Sequence, residues 1–155
     1  MTYNILRQAF VKPLIGGQAL QRKTEDKLQA ILGFALEKLA HDVTILDVEK
    51  ICSYTDIIIV CHGTSTRQAQ TIISHIREEI KKLGIHPIGS EGEAEGQWII
   101  LDYGEIVVHS FYKPVREFYN LEGIWPDARR ATARSNGTEV AVSWLGKKLV
   151  KEDVV

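Results

Sequence analysis

The chain has 155 residues and a formal net charge of −1, with 45% hydrophobic and 25% charged residues, the composition of a globular domain. No apolar run approaches the ~20 residues a membrane-spanning helix needs, and two cysteines, Cys52 and Cys61, are too few for a disulfide-stapled scaffold. A reducing cytoplasm is therefore the expected compartment.

The first 24 residues carry Arg7, Lys12, Arg22 and Lys23 and no acid. With Gly16-Gly17 inside it, this stretch reads as a flexible basic extension; an organellar leader is the alternative, and a secretory signal does not fit because no apolar block follows a basic start. Residues 25–125 hold 16 acids against 9 bases, whereas residues 126–155 hold 4 against 6. An acidic body repels a phosphate backbone and favours a basic partner.

Thr24 precedes Glu25 and Asp26, a cap followed by acids that suit the positive end of a helix. Leu28, Ile31, Leu32, Ala35, Leu36 and Leu39 then recur at helical spacing. Val43 to Val48 reads as a strand, Ile51 to Tyr54 as a connection, and Asp56 to Cys61 as a central strand buried on both faces. Gly63-Thr64-Ser65-Thr66 ends that strand and caps a helix whose apolar side is Ala69, Ile72, Ile73, Ile76 and Ile80, closed by Lys81, Lys82 and Gly84.

His86-Pro87-Ile88-Gly89 reads as a short edge strand. Trp98 to Leu101 and Ile106 to Phe111 form a hairpin around Asp102-Tyr103-Gly104-Glu105. Pro114 opens a helix carrying Val115, Phe118, Tyr119 and Leu121, and Trp125-Pro126 closes the domain. The order predicts a single α/β domain over residues 25–126, with a mixed sheet of about five strands flanked by helices. Residues 127–155 read as a tail holding one apolar patch, Val140 to Leu145.

These residues raise three candidate chemistries. The turn at Gly63-Thr64-Ser65 could cradle a phosphate, but no carboxylate pair one residue apart follows on a strand, as a nucleotidyltransferase requires for its metal. Glu91, Glu93 and Glu95 alternate in a glycine-broken loop instead. Cys61-His62, with Cys52, His75, His86 and His109, lacks the paired spacing of a zinc site. His109 shares a strand face with Val107 and Phe111, which favours a structural role over acid–base work. Trp98, Asp102, Tyr103 and Glu105 remain, an aromatic and acidic hairpin suited to docking on a basic partner, with Tyr103 expected exposed at the turn.

From about Leu36 to Trp125 the chain resembles the Iojap, or ribosomal silencing factor, family. The runs are Asp42 to Val48, Tyr54 to Val60, Gly63 to Gln68, Glu91-Gly92, Trp98 to Gly104, Val107 to His109, and Arg116 to Glu122 before Trp125. The resemblance implies a fold similar to nucleotidyltransferases without their catalytic carboxylates, and no enzymatic activity, cofactor or metal. It implies a factor that binds the large ribosomal subunit through a basic ribosomal protein of the intersubunit face and blocks the small subunit, repressing translation. Organellar relatives act in ribosome assembly. Little direct nucleic-acid contact, no membrane and a possible homodimer go with it. The family's shared surface maps to Trp98, Asp102 and Tyr103, with Asp56, Glu91 and His109 as further candidates. An active nucleotidyltransferase-like enzyme and an adaptor for another basic protein are the competing readings.

Overall fold

The computed structural model describes residues 16–137 and 139–145, with side chains described from residue 24 to residue 144 apart from residue 138. Helix α1 (Gly16–Glu37) is followed by strands β1 (His41–Asp47) and β2 (Ile57–Gly63), then helix α2 (Thr66–Lys82). Strands β3 (Gly89–Glu91), β4 (Trp98–Asp102) and β5 (Ile106–Tyr112) lead into helix α3 (Lys113–Tyr119) and a 3-10 turn at Leu121–Ile124. Strands β6 (Arg129–Asn136) and β7 (Glu139–Leu145) complete one sheet ordered β3-β4-β5-β2-β1-β6-β7. Only β2 and β5 run parallel among the described strands; α2 and the β3–β4 pair lie between them in the chain.

The mixed α/β sheet is as expected, but it has seven strands and not about five. The added pair is β6 and β7, from the segment read as a tail. β6 pairs with β1 along most of its free edge, from Val43 opposite Ala133 to Asp47 opposite Arg129. The pairing satisfies backbone groups that an edge strand would leave open. Alternation does the rest: Ala131 and Ala133 turn into the core, while Arg130, Thr132 and Arg134 between and beside them are more exposed.

Two packed layers result. On one face α1 and α2 cover Val43 and Ile45 of β1, Ile59 and Cys61 of β2, Ile99 and Leu101 of β4, and Ile106 and Val108 of β5. The α2 stripe read from sequence, Ala69, Ile72, Ile73, Ile76 and Ile80, is entirely shielded from solvent. Each isoleucine there contributes roughly 1.5–3 kcal/mol of burial. The opposite face holds a smaller cluster of Leu46, Val48, Ile58, Val60, Phe111 and Leu121, against which Trp98, Val115 and Trp125 pack. Its helical cover is α3, of only seven residues.

Three local expectations change. Helix α1 begins at Gly16, not Thr24, so it runs into the stretch read as a flexible extension. Leu39 does not join the buried stripe: the helix ends at Glu37, Leu39 takes a left-handed φ of 59°, and its side chain is 73% exposed. The edge strand begins at Gly89 because Pro87 has no amide to donate; pairing starts when the Ile88 N–H donates to the Asp102 carbonyl at 2.7 Å.

Candidate functional site

Strand register decides which hairpin side chains share a face. Trp98, Ile100 and Asp102 stand opposite Phe111, His109 and Val107, and Glu91 stands opposite Ile100. All of these fall on the sheet face that α3 only partly covers. Ile99, Leu101 and Tyr103 fall on the other, beneath the two long helices.

Tyr103 is therefore not at the surface, contrary to the exposure expected of a turn tyrosine. It is 4% exposed and packs in the main core, its hydroxyl without a hydrogen-bond partner among the described residues. Burial pushes that hydroxyl far above its ordinary pKa. The backbone explains the placement: Asp102 Oδ1 accepts from the Gly104 N–H at 2.7 Å, and the Tyr103 N–H donates to the Ile106 carbonyl at 2.9 Å. Gly104 takes the positive φ, and Tyr103 continues the strand alternation. Glu105 also leaves the open face, since it pairs with Lys27 of α1.

Trp98 anchors the open face. Its indole Nε1–H donates to His109 Nδ1 at 3.0 Å, and its ring lies 5.0 Å from both Phe111 and Tyr119. His109 is a buried structural acceptor, held neutral by desolvation that pushes its pKa down to about 4. Its Nδ1 lone pair is occupied by the Trp98 N–H. Around Trp98 lie large apolar side chains in water: Tyr119 is 55% exposed, and Phe118 is 81% exposed and edge-on to Tyr119 at 5.0 Å. Tyr54 is also exposed; its hydroxyl is raised above its ordinary value by partial burial first, then by Cys52 and Asp102 beside it.

The acidic loop is built to hold this face. Arg77 of α2 grips Glu93 with both terminal nitrogens, and Ser90 Oγ donates to the same carboxylate at 2.7 Å. The Arg77 hydrogen bond, aided by Ser90, keeps the Glu93 carboxyl below its ordinary pKa despite some desolvation. Gly92 has a φ of 82°, and a Cβ there would sit 2.0 Å from the Trp98 carbonyl oxygen, so the loop crosses directly over the start of β4. Glu93 is spent on the fold, whereas Glu91, Glu95 and Asp56 stay exposed and Asp102 half-exposed. The surface is thus an aromatic patch with Glu91 and Asp102 on the same sheet face.

Sequence reasoning missed Tyr54, Phe118, Tyr119 and Ile100. The signal for Ile100 was two-residue alternation from Trp98. For Phe118 and Tyr119 it was the shortness of the helix, which cannot bury side chains all round.

The turn at Gly63 is a capping structure. Ser65 Oγ accepts from the Gln68 N–H at 3.0 Å, and Gln68 Oε1 accepts from the Thr64 N–H at 2.8 Å. Cys61 is buried and its thiol pushed up to about 11 by desolvation, which makes it a small apolar group and not a nucleophile. Among the described residues no three His, Cys, Asp or Glu side chains converge to hold a metal, and no helix is long and apolar enough to cross a membrane.

A family model described as "Ribosomal silencing factor during starvation" matches residues 21–148. The ribosomal silencing factor RsfS of Bacillus subtilis is 40% identical over 92 residues, covering 59% of this chain and 78% of that protein. Two crystal structures are similar in fold. A protein from Chromobacterium violaceum has a TM-score of 0.64 at 29% identity, over 65% of this chain and 84% of its own. One from Bacillus halodurans has a TM-score of 0.61 at 33% identity, over 66% of this chain and 95% of its own.

Proposed function

The chain belongs to the ribosomal silencing factor family, and from that premise we propose that it silences translation by binding the large ribosomal subunit and obstructing the small one. Its contact is a basic protein of the intersubunit face, which meets the open sheet face around Trp98. The observation that carries this reading is the patch of exposed Tyr54, Phe118 and Tyr119 with half-exposed Trp98, beside the carboxylates of Glu91 and Asp102. Exposed aromatics of this kind supply the desolvated centre of an interface, each worth about 2 kcal/mol or more when truncated. The carboxylates steer encounter with a basic partner, raising association from ~10⁵–10⁶ toward ~10⁸ M⁻¹s⁻¹ at low salt.

Nothing in this mechanism requires chemistry at the site. The aromatic patch binds, and the volume of the sheet and its two long helices excludes the small subunit. Tyr103 drops out of the contact because it is buried, and Glu105 because it is paired with Lys27. His109 acts one layer down, orienting the Trp98 ring.

Affinity for purified large subunits tests the proposal. Tyr119→Ala is expected to weaken binding ~30-fold or more, the equivalent of ~2 kcal/mol. Tyr103→Phe, which removes only an unpaired buried hydroxyl, is expected to leave affinity unchanged. Equal affinity of the wild type and Tyr119→Ala, with both folded, would move the interface elsewhere.

A further inference from the structure

A cavity of about 860 Å³ opens between β1, β6 and α3, away from the aromatic patch. His62 and Lys113 in its wall stand at the carboxyl ends of the parallel strands β2 and β5, where ligands of open α/β sheets bind. The volume suits a small molecule.

The walls are unusual in backbone as well as in charge. β1 is irregular between His41 and Thr44, and within that bulge Asp42 has a φ of 46°. Asn120, across the cavity, has a φ of 45°, and Leu39, next to the wall residue Ala40, has 59°. Of the non-glycine residues with positive φ among those described, Asp42 and Asn120 line the cavity, whereas Leu39 belongs to a separate cleft with Arg67 and Gln68. Asn120 is the left-handed cap that closes α3, an ordinary role for asparagine, whereas Asp42 is left-handed within a strand, a conformation that costs roughly 1–2 kcal/mol and is found at ligand sites.

Beneath the cavity lies a fixed polar floor. The buried Arg116 donates to His62 Nδ1 at 2.8 Å, to Thr44 Oγ1 at 3.1 Å and to Glu122 Oε2 at 3.0 Å. An arginine can only donate, so neutral His62 carries its proton on Nε2. His41 is exposed and stacks on His62, centroids 5.5 Å apart and planes at 13°. Glu122 offsets Arg116. Lys113 and Arg134 remain, with no carboxylate in ion-pair range among the described residues, together with the exposed acids Asp42 and Glu117.

We propose that this cavity is a binding site for a nucleoside phosphate. Lys113 and Arg134 hold the phosphate. Asp42 and Glu117 accept from the ribose hydroxyls. The outer face of the His41 ring, already stiffened by its stack on His62, receives the base. A bare anion would meet as many carboxylates as cations here. A ligand that joins an anion to neutral hydroxyl donors uses both.

The site also has a route to the docking face. Lys113, Arg116 and Glu117 line the cavity, and Phe118 and Tyr119, the next residues of α3, form the aromatic patch. A ligand that shifts or stiffens α3 therefore changes affinity for the large subunit; this clause rests on the proposed docking function, whereas the binding site does not.

Titration of the full chain with AMP, CMP, adenosine and inorganic phosphate, followed by calorimetry and amide NMR, tests the site. Saturable one-to-one binding of AMP or CMP is expected, at least tenfold tighter than adenosine or phosphate. Amide shifts are expected at His41, His62 and Lys113. Lys113→Ala and Arg134→Ala, both at exposed positions, should each weaken binding about tenfold, and Lys81→Ala, at the opposite end of α2 and outside the cavity lining, should not. Failure of both nucleotides to saturate, equal binding of phosphate alone, or indifference to both variants overturns the site. Large-subunit affinity measured with and without the nucleotide tests the coupling: no change overturns the coupling alone, and wild-type protein that ignores large subunits overturns the docking function while the titration stands.

Discussion

Replacing Trp98 with phenylalanine separates the anchor's hydrogen bond from its stacking. The phenyl ring keeps apolar contact with Phe111 and Tyr119, each now 5.0 Å from the indole, and such aromatic pairs are worth about 0.5–1.5 kcal/mol beyond area. The Nε1–H donated to His109 Nδ1 at 3.0 Å is lost, and His109 is buried. An unpaired buried acceptor costs about 1–3 kcal/mol, which in a protein of this size lowers Tm by roughly 2–10 °C. The donor also favours the neutral ring, so removing it raises the His109 pKa above about 4, while burial, the main cause of the depression, keeps it below the ordinary histidine value. Thermal melting and a ¹³C-histidine NMR titration read both effects. A Trp98→Phe protein as stable as the wild type, with His109 titrating as before, would refute the assignment of Trp98 as its hydrogen-bond donor.

His109 also sets a pH dependence. Its folded pKa of about 4 lies below the unfolded value of ~6.5, so the unfolded chain takes up the proton first as pH falls. Stability is therefore undiminished above about pH 7 and declines by about 3 kcal/mol between pH 6.5 and 4; His62, also depressed by burial and by Arg116, acts in the same sense. Denaturant melts across that range should show the decline, and His109→Gln should flatten much of it. Gly92→Ala should cost over ~2 kcal/mol, because left-handed strain is joined by contact with the Trp98 carbonyl. Gly84→Ala, at a φ of 84° with nothing nearby, should cost the strain alone, about 1 kcal/mol; equal losses would mean the loop does not cross β4 closely. Arg116→Met should lower stability by about 3–5 kcal/mol by stranding Glu122 and His62, and a near-neutral result would remove the polar floor of the cavity.

The core was legible because its periods were long and unbroken. The isoleucines of α2 and the aliphatic run of β2 each have one physical solution, and apart from the half-buried Ile57 they are buried as read. Tyr103 was misread because turn chemistry was given precedence over alternation. Counting by two from Ile99 places it with Leu101 inside, and glycine at the next position lets the chain reverse after it. β6 was missed because alanines alternating with arginine, threonine and serine carry weak strand preference. What fixes that segment is the free edge of β1, a partner far away in sequence. The exposed Phe118 and Tyr119 were assigned to an apolar helix side, but they form the last two residues of α3, which stops at the left-handed Asn120. The cavity was invisible for a different reason. His41, His62, Lys113, Arg116 and Arg134 come from four elements and share no spacing.

Subunit joining is the most direct test of the docking account. Large and small ribosomal subunits mixed with the full chain, and followed by light scattering or gradient sedimentation, should remain apart in proportion to bound protein. Tyr119→Ala should restore joining while remaining folded. Wild-type protein that saturates the large subunit and leaves joining untouched would contradict obstruction by bulk.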